Sequence, residues 1–261
     1  MKHIYLNHRL VMPGDVLVSL SRGVMPKIVS KATRGDYWHA ALCLAPTLLY
    51  EADRKGVYST PLEFTCFVDQ AGKSRFGLLL PHITKAKLLR HDSISARLQK
   101  EYYEVQDDFA YIAAEYFTRP YSELGRLLCA LPPQNPLQRI GEKYETKLLK
   151  NSLGKKGRRI FCTELIAAIY EKLGIPLFKV NKPPVTVNAA ALADESELKE
   201  VPDAVLAGKP RPCSGEEGAK VENSREAAEP RESQIQRTRD IEKMQKENEQ
   251  VIEGLGKPPN D

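Results

Sequence analysis

The sequence of 261 residues lacks the cysteine patterns that hold small secreted or zinc-stabilised domains together. Its five cysteines are widely spaced and include no Cys-x-x-Cys pair, so neither a disulfide framework nor a structural zinc site is indicated. The N-terminal residues also lack the continuous apolar stretch of a signal peptide. These absences predict a cytoplasmic protein in a reducing compartment, with export by a route that uses no signal peptide as the alternative.

Membrane-spanning and nucleic-acid-binding signatures are missing as well. The apolar run at 76–81 is far too short to cross a bilayer, so we expect no stable membrane anchor. The net charge of +5 at pH 7 is a mild excess, and no zinc-finger spacing or RNA-binding signature accompanies it. We therefore predict no nucleic-acid partner.

Aromatic residues are absent after Phe178, and past Leu206 the composition changes to proline, serine, glycine and many charged residues. A segment of this kind buries too little apolar surface to offset the entropy of folding. We therefore predict a folded domain at 10–205 and a disordered charged tail at 206–261. Apolar residues spaced three and four apart within 233–255 indicate either a short helix that forms on a protein partner or a merely soluble tail.

Within the domain, short strand patterns are followed by helical ones, which is typical of an α+β fold. Alternating and turn-bounded apolar segments predict strands at 16–20, 37–44, 48–52, 56–60 and 77–81. Helical periodicity predicts a short helix at 24–33 and one long helix at 95–117.

A further helical stretch contains Cys162. Counted from this residue, apolar side chains recur at steps of 3, 4, 7, 8 and 11, which is one stripe of an amphipathic helix ended by Gly174 and Pro176. Cys162 lies on the stripe in the first turn, where the helix dipole and the preceding Arg158 and Arg159 favour a thiolate. The alternative is a small buried cysteine that fills a core position.

Thiol catalysis also needs an imidazole and a polar group that orients it. His3 and His8 fall in a terminus that we expect to fray, whereas His39 falls in an internal strand, on the same face as Ala41. Glu51 lies among apolar residues of the next strand, where a carboxylate needs a partner. Hairpin pairing would place Glu51 beside His39, although a histidine satisfied within the core is the alternative reading of that residue.

Several motifs occur in an order that resembles the permuted NlpC-type branch of the papain-like cysteine hydrolases, the YiiX-like proteins in particular, with lecithin–retinol acyltransferase-like enzymes as more distant relatives. These motifs are Pro13-Gly14-Asp15-Val16, Trp38-His39-Ala40-Ala41-Leu42, Tyr50-Glu51-Ala52, Pro120-Tyr121-Ser122 and Phe161-Cys162-Thr163-Glu164-Leu165. The segment 185–193 is similar to the family's closing segment, except that Asn188 stands where a proline is expected.

The resemblance implies a circularly permuted papain-like domain, in which a small antiparallel sheet packs on the cysteine helix. It implies Cys162 as the nucleophile, His39 as the general base and Glu51 as the orienting group, with no metal and no organic cofactor. Tyr37 or Tyr121 would help to position the substrate. The implied activity is that of a thiol peptidase or amidase, which cleaves an amide or ester carbonyl through an acyl-cysteine intermediate.

Three alternatives remain open on the sequence. A lipid acyltransferase or phospholipase of the same fold would act on acyl esters rather than on peptide amides. A catalytically inactive scaffold would instead serve as a binding or adaptor protein through its C-terminal tail. A metal site built on Cys162 and His39 is the weakest reading, because no further ligands occur at metal spacing.

Overall fold

The computed structural model describes residues 2–22, 36–122, 159–180 and 182–213. The chain divides into two compact units, Met1–Arg211 and Pro212–Asp261, and the elements below belong to the first. The helix predicted at 24–33 and the tail beyond 213 lie outside the described residues.

In its described part, the first unit combines ten strands with four α-helices and one turn of 3₁₀ helix. The strands are β1 (His3–Leu6), β2 (Val16–Ser21), β3 (His39–Ala45), β4 (Leu48–Asp53), β5 (Gly56–Pro61), β6 (Phe64–Asp69), β7 (Ser74–Leu80), β8 (Ile83–His91), β9 (Leu198–Glu200) and β10 (Val205–Pro210). The helices are α1 (Asp92–Leu98), α2 (Tyr102–Ala114), α3 (Cys162–Lys172) and α4 (Ala189–Asp194), and the 3₁₀ turn is Pro184–Thr186.

The strands form two antiparallel sheets, and the buried apolar residues form two clusters. Six strands form an open sheet in the order β5-β4-β3-β2-β8-β9, and β1, β10, β6 and β7 form a second sheet that closes on itself. Alternate residues of β2 and β3 belong to opposite faces of the open sheet, as the period-two pattern predicts. Val18 and Ala40 join the apolar cluster that contains α3, whereas Leu17 and Ala41 join the cluster that contains the second sheet. The α+β prediction is confirmed.

Five predicted strands are present as β2, β3, β4, β5 and β7, but both predicted ends of the domain are wrong. The terminus expected to fray contains β1, which pairs with β10 and β7. The predicted tail begins within β10, so the folded part continues at least to Pro210. Pairing between the two ends of the first unit stabilises both strands, and no local pattern indicates a partner so distant in sequence.

The single long helix predicted at 95–117 is also wrong, because the chain forms α1 and α2 with a break at 99–101. Ile94 of α1 and Val105 of α2 are both buried in the same cluster. Their separation of eleven residues is close to three helical turns, so the apolar pattern stays in phase across the break. Periodicity therefore gives no sign that the helix is interrupted.

The cysteines depart from the expectation of free thiols. Cys43 and Cys162 are free and buried, whereas Cys66 is disulfide-bonded. A disulfide is unusual in a reducing compartment.

In the part of the chain that the structure describes, no helix is long and apolar enough to cross a membrane.

The Pro-Gly-Asp motif forms a turn built around a buried ion pair. The carboxylate of Asp15 is fully buried and accepts hydrogen bonds from Nε and Nη2 of Arg90 on β8, at 2.6 and 2.7 Å. Gly14 has φ +84°, and a Cβ there would lie 2.6 Å from the ring of Phe109 on α2. Its carbonyl accepts a hydrogen bond from the hydroxyl of Tyr170 on α3. The motif thus joins β2, β8, α2 and α3.

Replacing Asp15 by asparagine is expected to destabilise the fold strongly, because it leaves the largely buried guanidinium of Arg90 without its counter-charge. The expected loss is about 3 kcal/mol in the free energy of unfolding, measured by urea titration. Lys199→Gln is the control, since it breaks an ion pair whose two side chains are both mostly exposed, and it should leave the midpoint almost unchanged. Equal midpoints for wild type and Asp15→Asn would contradict the role assigned to this pair.

Candidate active site

Cys162 is the first residue of α3 and is buried, with 2% of its surface exposed. The apolar stripe predicted for this helix is confirmed, since Leu165, Ile166 and Ile169 are fully buried against the sheet. The helix packs on β3 and β4. Gly174 follows its last turn with φ +69°, which agrees with the predicted end. The sequence therefore places a thiol at a buried helix N-terminus.

His39 and Glu51 meet across the hairpin formed by β3 and β4. Nε2 of His39 lies 2.7 Å from Oε2 of Glu51, and the two side chains are only 20% and 16% exposed. In the antiparallel register, Leu42 pairs with Tyr50, so His39 and Glu51 are diagonal neighbours on one face. The predicted juxtaposition of imidazole and carboxylate is present.

The imidazole also forms a hydrogen bond with the side chain of Cys162. Because Nε2 of His39 is engaged by Glu51, Nδ1 is the ring nitrogen left to face the sulfur. Burial alone would lower the pKa of His39, but the negative charge and hydrogen bond of Cys162, followed by those of Glu51, raise this pKa to about 10. The ring is thus held as an imidazolium between two acidic groups, and its charge in turn favours the thiolate.

Glu51 is ionised in this arrangement. Burial would raise its pKa, but hydrogen bonds from His39 and Thr60 and the positive charges of His39 and Lys55 lower it below the ordinary value. The hydroxyl of Thr60 on β5 donates to Oε1 of Glu51 at 2.5 Å, so each carboxylate oxygen has its own donor. Thr60 is not among the site residues predicted from the sequence.

The register between β4 and β5 explains why Thr60 lies beside Glu51. Leu49 pairs with Thr60 across β4 and β5, and Glu51 lies two residues further along β4 on the same face as Leu49. Thr60 and Glu51 are therefore diagonal neighbours, as Glu51 and His39 are. Three polar side chains cross β3, β4 and β5 in one diagonal row.

The two candidate tyrosines lie in different places. Tyr121 pairs with Ile160 in an isolated parallel bridge. Because Ile160 precedes Cys162 by two residues, Tyr121 lies beside the segment that leads into α3. The ring of Tyr37 lies instead beneath Lys85 and Lys87 of β8, with their ammonium groups 5.3 and 5.9 Å from its centroid. Burial, with nearby carboxylates, raises the pKa of Tyr37 to about 12. Tyr121 therefore lies beside Ile160, and Tyr37 lies against Lys85 and Lys87 of β8.

Asn188, which stands where a proline was expected, immediately precedes α4. Its side chain accepts a hydrogen bond from the backbone N–H of Ala191 at 2.8 Å and so caps the N-terminus of α4. Asparagine is a favoured residue at that position. Just before it, the carbonyl of Val187 accepts a hydrogen bond from the hydroxyl of Thr163, which ties this segment to the first turn of α3.

Two cavities of about 400 and about 390 Å³ adjoin the outer side of α3. Helix residues Glu164, Ala167, Ala168 and Glu171 contribute to their walls, and neither lining includes Cys162. Among the described residues, no group of three or more His, Cys, Asp and Glu side chains could hold a metal ion. The described cavities are thus separate from the Cys162, His39 and Glu51 group.

His39 is expected to titrate near pH 10 in the folded protein, against an ordinary value of 6.5. Because the folded pKa is the higher one, the pairing contributes stability that is full below pH 6.5 and is lost as the pH rises towards 10. NMR of the ring nitrogens across this range measures the titration. Glu51→Gln should lower the pKa, because the anion is lost.

Asp53→Asn is the matched control for that titration, because it changes a carboxylate on the same strand that accepts from Tyr58 instead of His39. It should leave the titration of His39 close to that of wild type. A midpoint near 6.5 in the wild-type protein would contradict the imidazolium.

Comparison with known proteins gives no family assignment. No family model matches the chain, and no curated protein matches it. Among solved structures, the chain is similar to the crystal structure of the metalloprotein yiiX from Escherichia coli O157:H7, with a TM-score of 0.37 and 17% sequence identity. The alignment covers 73% of this chain and 96% of the other. A similarity at this level does not define the fold.

Proposed function

We propose that the protein is a cysteine hydrolase with a circularly permuted papain-like domain, and that it cleaves an amide or ester carbonyl through an acyl-Cys162 intermediate. The observation that carries this proposal is the position of His39, whose ring is hydrogen-bonded to both Cys162 and Glu51. Nucleophile, base and orienting group are the three parts that thiol catalysis requires.

In the proposed reaction, the Cys162 thiolate attacks the carbonyl carbon and forms a carbon–sulfur bond. Collapse of the tetrahedral intermediate breaks the bond to the leaving amine or alcohol, which takes a proton from His39. The neutral imidazole then removes a proton from water, which attacks the thioester and releases the acid. The proton remains on His39, and the thiolate is restored.

The negative charge that develops on the carbonyl oxygen needs donors that are already in place. Cys162 begins α3, so the backbone N–H groups of the first helical turn and the positive end of the helix dipole lie beside the Cys162 side chain. In the proposed mechanism, the backbone N–H of Cys162 stabilises the oxyanion. Glu51 keeps the ring of His39 oriented, and keeps it charged until the ring gives its proton to the leaving group.

The substrate class that we propose is a peptide amide, with an acyl ester as the competing class. Tyr121 is the better candidate for positioning the substrate, because it lies beside the lead-in to Cys162. Tyr37 lies against Lys85 and Lys87 of β8 and is the weaker candidate. An acyl acceptor other than water would turn the same intermediate to acyl transfer.

Cys162 is expected to react with iodoacetamide well below the range of an ordinary thiol, whose pKa is about 8.5. Peptide mapping by mass spectrometry across pH measures the reaction at each cysteine. Cys43 is an internal control, since burial raises the pKa of this free thiol and should keep it unreactive. His39→Ala should abolish the reaction of Cys162 at low pH. An ordinary thiol titration in the wild type would remove the basis of the proposal.

Hydrolysis of defined peptide amides and acyl esters tests the activity itself. Cys162→Ser and Cys162→Ala should remove turnover, and His39→Ala should lower kcat/KM by about 10²–10⁴-fold. Deletion of residues 214–261 should leave turnover unchanged, because the proposed catalytic groups all lie before residue 163. Inactivity on both substrate classes, with loss of a binding partner on that deletion, would favour the adaptor instead.

A further inference from the structure

We propose that Thr60 is a positioning residue of this site, whose hydroxyl holds the Glu51 carboxylate in the orientation that fixes His39 against Cys162. This inference rests on the proposed function and extends it by one residue. The Thr60 hydroxyl donates to Oε1 of Glu51 at 2.5 Å, and Oε2 of the same carboxylate lies 2.7 Å from Nε2 of His39. The two bonds use the two oxygens of one carboxylate.

A carboxylate bonded through one oxygen turns easily about its last side-chain torsion. A second donor on the other oxygen sets the plane of the group, and the plane in turn determines where Oε2 points. Because His39 bonds to Oε2, the same constraint sets the direction of Nδ1 towards the sulfur of Cys162. Thr60 thus acts on the thiol through two intervening groups and without contact to substrate.

Thr60 is also a stiff donor. Threonine is β-branched, so its first side-chain torsion has few accessible values, and β5 is paired with β4 along its whole length. The register that pairs Thr60 with Leu49 keeps its hydroxyl beside Glu51. A hydrogen bond to a charged group from a donor that is already in place is worth more than a neutral one.

The polar and charged side chains around Glu51 come from three parts of the chain. His39 faces it from β3, Tyr58 and Thr60 from β5, and Lys55 from the turn between β4 and β5. The hydroxyl of Tyr58 donates to Asp53 at 2.8 Å, so its proton is committed elsewhere. His39 itself faces Cys162 and Glu51. Thr60 is therefore the uncharged side-chain donor to Glu51 among these groups.

Thr60→Val removes the hydroxyl and keeps the shape of the side chain. It should raise the pH midpoint of Cys162 alkylation by iodoacetamide by about 0.5–1 unit. The carboxylate of Glu51 loses one hydrogen bond and holds His39 less firmly, so His39 stabilises the Cys162 thiolate less. Thr60→Ser keeps the hydroxyl and should restore most of the wild-type profile. Ser59→Ala is the matched control, since Ser59 precedes Thr60 on β5 and points to the opposite face.

Circular dichroism and urea midpoints establish that each variant folds, and Thr60→Ala replaces Thr60→Val if the valine variant does not. A low wild-type midpoint that Thr60→Val leaves unchanged would overturn the role of Thr60 and leave the cysteine hydrolase standing. An equal shift in Thr60→Ser or Ser59→Ala would show a packing effect and would also overturn it. An ordinary thiol titration in the wild type would overturn both proposals.

Discussion

The buried ion pair between Asp15 and Arg90 is the constraint on which the arrangement of the first unit depends. Asp15 bonds to β8 through its carboxylate, and its carbonyl accepts a hydrogen bond from the backbone N–H of Cys43 on β3. The preceding Gly14 bonds to Tyr170 of α3 through its carbonyl, in a left-handed conformation that favours glycine. One turn of the chain thereby fixes the positions of two strands and of the cysteine helix relative to one another.

This ion pair determines geometry more than it adds stability. Burial raises the pKa of the Asp15 carboxyl, and the bonds from Arg90 and Met12 only partly offset that effect. A buried pair can therefore be costly compared with apolar side chains of the same volume, yet its hydrogen bonds are satisfied in one arrangement only. A single arrangement matters for the site because His39 lies on β3 and Cys162 lies on α3. A small shift between these two elements would separate the imidazole from the thiol.

Local patterns in the sequence predict the parts of the site that lie on one helix or on one hairpin. The apolar stripe of α3 locates Cys162, and the alternation of β3 and β4 places His39 beside Glu51. Local patterns do not predict the pairing of β1 with β10, because the partner of a strand is a property of the whole fold. They also overlook Thr60, whose importance depends on the register between β4 and β5 and not on its own neighbours. Tyr37 shows the converse, since its closeness to His39 in sequence does not decide which way its ring points.

In the proposed resting state, one cation lies between two anions, with His39 positive and with Glu51 and Cys162 negative. The excess negative charge requires stabilisation, but a second cation next to the thiolate would lower the nucleophilicity of the sulfur. Neutral groups avoid this conflict, since the hydroxyl of Thr60 acts on the Glu51 side and backbone N–H groups of α3 act on the thiolate side. Neither kind of donor titrates in the working pH range. The changes of charge during turnover are thereby confined to Cys162, His39 and the substrate, while the groups that hold them keep the same protonation from one step to the next.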